Sequence, residues 1–157
     1  MKGEAYTLLQ ETRQELGASV ILIANEAGQA LLYEGIEPPQ TMDLLAALGA
    51  AGLSALQEII TASFKGWGRN AHQGDQILML EVDPGIILIL ARAPFIFLVI
   101  LTDKTRLGLA RLLLRRLANQ YPWERLLTTA QRHELPLRKD KSMSETRKQL
   151  FRDLWAR

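Results

Sequence analysis

Leu101-Thr102-Asp103-Lys104-Thr105-Arg106-Leu107-Gly108-Leu109-Ala110-Arg111-Leu112 is the stretch whose reading decides the fold. It closes the apolar run over residues 86–100 and opens an amphipathic helix with Gly108 in its first turn. A strand thus passes through a short polar capping segment directly into a helix.

Working back from this point, Arg92-Ala93-Pro94 and Asp83-Pro84-Gly85 are turn signals, because Pro presets φ and Gly accepts its positive value. They divide residues 76–101 into three strands, 76–82, 86–91 and 95–101. All three are too continuously apolar to leave one face in water, so helices should cover both sides. Further upstream, residues 64–75 (FKGWGRNAHQGD) read as a loop, and Thr41 can cap a helix running to about residue 64. Asn25-Glu26-Ala27-Gly28 turns between two shorter strands, 19–24 and 29–33, and residues 4–16 form a first helix stopped by Gly17. The order is helix, strand, strand, helix, three strands, helix. Tight turns within each strand group require antiparallel pairing. The expected fold is α+β, a five-stranded antiparallel sheet with helices on both faces.

The central helix carries the functional signal. On a helical wheel Leu44, Leu45, Leu48, Leu53, Leu56, Ile59, Ile60 and Phe64 cover slightly more than half, and this arc is expected to pack on the sheet. The other arc is small and almost uncharged, with Ala46, Ala47, Ala50, Ala51 and Ser54, and only Asp43 and Glu58 charged. Solvent-facing helix surfaces are usually dense in Lys, Glu and Arg. Alanine as a plain helix former explains such a face; a contact surface for another chain explains it better. The expected interface is Ala47, Ala50, Ala51, Ser54 and Glu58, with Gln76 and Leu78 on the strand that follows.

Composition narrows the class. The chain has 157 residues, is 48% apolar and contains no cysteine. It can bury a core without staples, and it holds no disulfide or thiolate metal site. Met1-Lys2-Gly3-Glu4-Ala5 lacks the apolar region of a signal peptide, and the expected location is the cytosol. Residues 1–121 carry ten Lys/Arg against twelve Asp/Glu, and residues 122–157 nine against five. The basic character belongs to the tail, which argues against a nucleic-acid-binding domain. His72 and His133 have no metal-ligand partners at useful spacing. Gly66-Trp67-Gly68 is not a phosphate loop, since no Gly-Lys-Ser/Thr follows. No residues converge for acid–base or nucleophilic work, and no cofactor, metal site or enzymatic activity is expected. Arg106, Arg111, Arg115 and Arg116 scatter over the polar side of their helix, as on a solvated face.

The expected division is a domain of residues 1–121 and a basic, partly helical extension of residues 122–157. In the extension Ser142 and Glu145 have capping-box spacing, ahead of an amphipathic helix with Leu150, Phe151, Leu154 and Trp155 on one side. That apolar side is a candidate partner-binding element. Membrane contact is the less favoured use.

The order of elements resembles the roadblock/dynein-light-chain family, and within it the bacterial MglB-type regulators of small GTPases. Val20-Ile21-Leu22-Ile23 before a Gly-containing turn, the Ala-rich helix, strand 95–101 and, most closely, residues 102–112 carry the resemblance, which covers residues 4–121. The loop 64–75 departs from it by its greater length. The resemblance implies one long helix on one face of the sheet and two terminal helices on the other. It also implies a homodimer through the long helix and the edge strand after it, and a non-enzymatic regulator or effector platform for a Ras-like small GTPase. A scaffold of a signalling or motility complex is the alternative.

Overall fold

The computed structural model describes residues 2–35, 38–63 and 75–127. Its compact first unit is Met1–Trp123, and a second comprises Glu124–Arg157. The first unit runs α1 (Lys2–Leu16), β1 (Val20–Asn25), β2 (Ala30–Gly35), α2 (Pro39–Ser63), β3 (Gln76–Val82), β4 (Gly85–Arg92), β5 (Phe95–Leu101) and α3 (Leu107–Gln120). The strands form one antiparallel sheet in the order β2-β1-β5-β4-β3.

Pairing follows the turn chemistry. Gly28 closes the first hairpin at φ +80°, a value that costs an L side chain strain. Asn25 braces the same turn, its Oδ1 accepting from the Gln29 backbone N–H at 2.9 Å. The meander β3-β4-β5 has unbroken register from Gln76↔Ala91 to Val82↔Gly85 and from Ile86↔Leu101 to Arg92↔Phe95. β5 then pairs with β1, Val20 opposite Ile100 and Asn25 opposite Phe95, which puts the two most buried strands at the centre.

Helix starts differ slightly from the expectation. α2 begins at Pro39, a residue preset for a first helical position, so Thr41 lies inside the helix. Before α3, Asp103 accepts from the Thr105 backbone N–H (3.0 Å) and hydroxyl (2.6 Å) over a turn of 3-10 helix, Lys104–Arg106. These two bonds hold the Asp103 carboxyl below its ordinary pKa.

The sheet carries α2 on one face and α1 with α3 on the other. On the α2 side Val20, Leu22, Ala24, Ile89, Ile96 and Leu98 pack with Met42, Ala46, Ala50 and Leu53. On the other side Ile21, Ile23, Phe97 and Val99 alternate outward, and α1 and α3 bury Leu9, Leu16, Leu113, Leu114 and Leu117. Arg106 joins the two terminal helices by donating from Nη1 to the Glu15 carbonyl at 3.0 Å. Tyr6 and Arg13 of α1 both reach Glu34 of β2, by a hydrogen bond and an ion pair. The core runs past Tyr121: Trp123 packs edge-on to Phe97, with ring centroids 5.8 Å apart.

Candidate functional site

α2 packs on the sheet through a mixed face that departs only in part from the expected one: Leu53 is buried and Leu45 packs beside it as expected, but Ala46 and Ala50 of the small arc join them. Met42, Ala46, Gly49, Ala50 and Leu53 are its buried residues. Leu44, Leu48 and Ile59, expected in the core, are 57%, 59% and 58% exposed. The reason is distance of approach. A Cβ added at Gly49 would stand 3.3 Å from Leu98 Cδ1, and one added at Gly28 would stand 3.4 Å from Ala50 Cβ. Helix and hairpin lie too close for leucine between them, so Ala46 and Ala50 fill that contact and Leu44 and Leu48 turn outward.

The expected interface residues are therefore split. Ala47 and Ala51 are exposed, while Ser54 and Glu58 are half-buried. Ala50 is a correction: it is buried against the sheet and the β1–β2 turn, and cannot meet another chain. Gln76 is half-buried and accepts, through Oε1, from Gln57 Nε2 of α2 at 3.2 Å. Leu78 is half-buried and packs against the α2 cluster. The tail residues Leu150, Phe151, Leu154 and Trp155 lie outside the described residues, as do Trp67, His72 and His133.

A different apolar surface takes the place of the expected one. α2 packs against β1, β2 and β5 and leaves the β3 end of its face open. Leu80 and Val82 follow Leu78 at two-residue spacing, so they share its face, and they are 53% and 38% exposed. With Leu44, Leu48 and Ile59 they give a face of exposed large aliphatic side chains, beyond the scattered apolar residues of an ordinary surface. The signal was present in the sequence: a helix apolar nearly all round is one that is covered on both sides. By length and composition α2 is also apolar enough to cross a membrane, but one side of it is already committed to the sheet.

The two sheet edges differ in the same sense. The β1–β2 pairing carries a register shift between Ile23 and Ala24, a bulge that disrupts an edge. β3 has none over its seven residues, and among the described residues no strand pairs with its outer edge, which leaves a regular ladder of backbone groups there. At the ends of β3, Arg92 clamps Asp75 at 2.6 and 2.7 Å, and Lys104 pairs with Glu81 at 3.0 Å. The Arg92 bonds hold the Asp75 carboxyl below the usual carboxylate range, against a smaller opposing effect of burial. Among the described residues no group of three or more His, Asp or Glu is placed to hold a metal ion.

Comparison with solved structures identifies the architecture. MglB of Myxococcus xanthus superposes with a TM-score of 0.61 at 20% identity, covering 74% of this chain and 89% of that one. A gliding protein MglB from Thermus thermophilus gives a TM-score of 0.56 at 25% identity, covering 73% and 83%. A Roadblock/LC7 domain from Streptomyces avermitilis gives 0.56 at 17% identity, covering 72% and 93%. No family model and no curated protein sequence matches the chain. The fold is a roadblock-family fold close to that of MglB.

Proposed function

We propose that this chain, with its roadblock-family fold close to that of MglB, is a cytosolic homodimeric regulator or effector platform for a Ras-like small GTPase. The observation that carries the reading is the uncovered face of α2 and β3. Leu44, Leu48, Ile59, Leu80 and Val82 are exposed beside an unbulged edge strand. A second copy supplies an identical face and an identical edge, so both the apolar side chains and the free strand backbone find partners at once. The MglB likeness includes one structure described as having a tetrameric arrangement, which supports self-association as a property of such chains.

In this reading the protein contributes binding, and hydrolysis chemistry stays with the GTPase. The first compact unit, Met1–Trp123, makes the dimer. The extension after it, through Leu150, Phe151, Leu154 and Trp155, adds contacts to the partner.

Light scattering tests the first half and a pull-down the second. The expected mass is that of a dimer, falling to a monomer in Leu48→Glu. A purified Ras-like GTPase from the same organism should be retained in one nucleotide state in preference to the other. A monomeric wild type rejects the dimer. A dimer that retains neither the GTP-bound nor the GDP-bound form rejects the GTPase and leaves a scaffold.

A further inference from the structure

The arginines of the described domain fall into two groups. Arg13, Arg92 and Arg106 are all engaged, with Glu34, with Asp75 and Asn119, and with the Glu15 carbonyl. Arg111, Arg115 and Arg116 of α3 form no hydrogen bond or ion pair with any described residue. Between them stands Leu112, 64% exposed, the highest exposure of any large apolar side chain described. Leu109, one turn away, is 37% exposed. Gly108 lies four residues before Leu112, also facing out, and a Cβ there would meet nothing within 4 Å. The fold itself does not need that glycine, and its absent side chain leaves a notch beside Leu112.

Gly108, Leu112, Arg115 and Arg116 share one side of the helix, because the last three lie four, seven and eight residues after the first, about one or two turns on. The result is an apolar knob beside a notch, rimmed by guanidiniums that hydrogen-bond no described carboxylate, although the charge of Arg115 acts on Asp75. It lies on the opposite face of the sheet from α2, so it stays open whether or not the proposed dimer forms.

A solvated arginine face accounts for the charges but leaves Leu112 and Leu109 uncovered. A second copy of α3 would set arginine against arginine. An anionic bilayer would also have to cover α1, which packs beside α3 and turns Glu4, Glu11 and Glu15 to solvent. The basic strip is one helix wide and the acidic helix adjoins it. Its charge pattern fits a narrow acidic ligand and opposes a broad anionic surface.

We infer that the outward face of α3 is a second docking surface, taking an acidic amphipathic segment of a partner protein. Apolar residues of that segment sit over Gly108 and against Leu109 and Leu112. Its carboxylates pair with Arg111 and Arg115, since a guanidinium can bond both oxygens of a carboxylate. Arg116, which also lines the shallow groove between α1 and α3 with Glu11 and Glu15, closes the rim. The protein is then an adaptor, with one face for its own copy and another for an acidic partner.

The test uses the full chain and a fluorescein-labelled helical peptide with leucine on one face and glutamate on its flanks. A scramble of the same composition and vesicles of phosphatidylserine or phosphatidylcholine are run beside it. Wild type should bind the patterned peptide in preference to the scramble. Leu112→Glu and Arg111→Glu should each weaken binding about tenfold. Both sites are exposed, so melting temperature and dimer mass should stay at wild-type values. Amide shifts on titration should fall on residues 108–116. The basic tail will attract any acidic peptide, so unchanged affinity in the two variants, equal binding of the scramble, or shifts confined elsewhere overturns the proposal. Binding to phosphatidylserine vesicles without binding to the peptide overturns it in favour of a membrane surface.

Discussion

A Cβ placed on Gly28 would lie 2.8 Å from the Cα of Ala47, closer than real Cβ contacts come. The turn between β1 and β2 thus rests directly on the backbone of α2. This contact brings Ala46 and Ala50 of α2 inward and leaves Leu44 and Leu48 outward, while Leu53 stays in the core. Gly28→Ala should cost about 2–4 kcal/mol, from the left-handed backbone and the overlap together. Gly108→Ala, with open space around it, should instead stabilise by about 0.5–1 kcal/mol. Urea unfolding of the two variants checks both signs.

The orientation of α2 makes a second pair of substitutions diverge. Leu48→Glu changes an exposed side chain, so the fold should survive and the dimer should not. Ala50→Arg forces a charge between helix and sheet and should cost at least about 3 kcal/mol of stability. Light scattering should therefore give a folded monomer for the first, and circular dichroism a broadened or lowered melt for the second. A folded, dimeric Ala50→Arg would show that Ala50 faces out after all.

Asp75 and Arg92 predict a pH dependence. The folded carboxyl titrates below its ordinary value of 3.8 because Arg92 hydrogen-bonds it. A depressed carboxylate pKa adds stability that is present above the unfolded pKa and lost as pH falls through the folded one. The pair is partly exposed, so its worth is about 1 kcal/mol or less. Asp75→Asn should melt below wild type at neutral pH. The gap should begin to narrow near the ordinary value of 3.8 and close only below the folded pKa, where the wild-type carboxyl also loses its charge. Thermal melts across that range test it; a gap independent of pH would assign the loss to packing.

Trp123 should behave as a core residue although it follows Pro122. It is 3% exposed, packs on Phe97 and Tyr121, and donates from Nε1 to the Leu117 carbonyl at 3.0 Å. Trp123→Ala should cost about 3–5 kcal/mol. Trp123→Phe keeps most of the ring and loses the hydrogen bond, for about 1–2 kcal/mol. A chain ending at Tyr121 should melt like the alanine variant. Equal melting of all four chains would place the Trp123 ring outside the core.

Strand number, turn positions and element order were legible in the sequence because local chemistry sets them. Asp83-Pro84-Gly85 and Asn25-Glu26-Ala27-Gly28 carry their own φ preferences, and the apolar runs between them are of strand length. The Asp103–Thr105 helix start was equally local. The orientation of α2 was not. Its large and small arcs are both apolar, so amphipathicity does not choose between them. The choice is made by Gly28, Leu98 and Ile89, which reach the helix from distant parts of the chain. The exposed leucines of the candidate interface follow from that choice. Nor could spacing along α3 separate one arginine from another. Arg106 is engaged because folding brings it to the end of α1, 91 residues away in sequence, while Arg111 and Arg115 bond to no described residue. The sequence alone determined which segments pair and in what order. Tertiary structure decided which sides of α2 and α3 remained free to bind, because that depends on how closely segments remote in sequence approach.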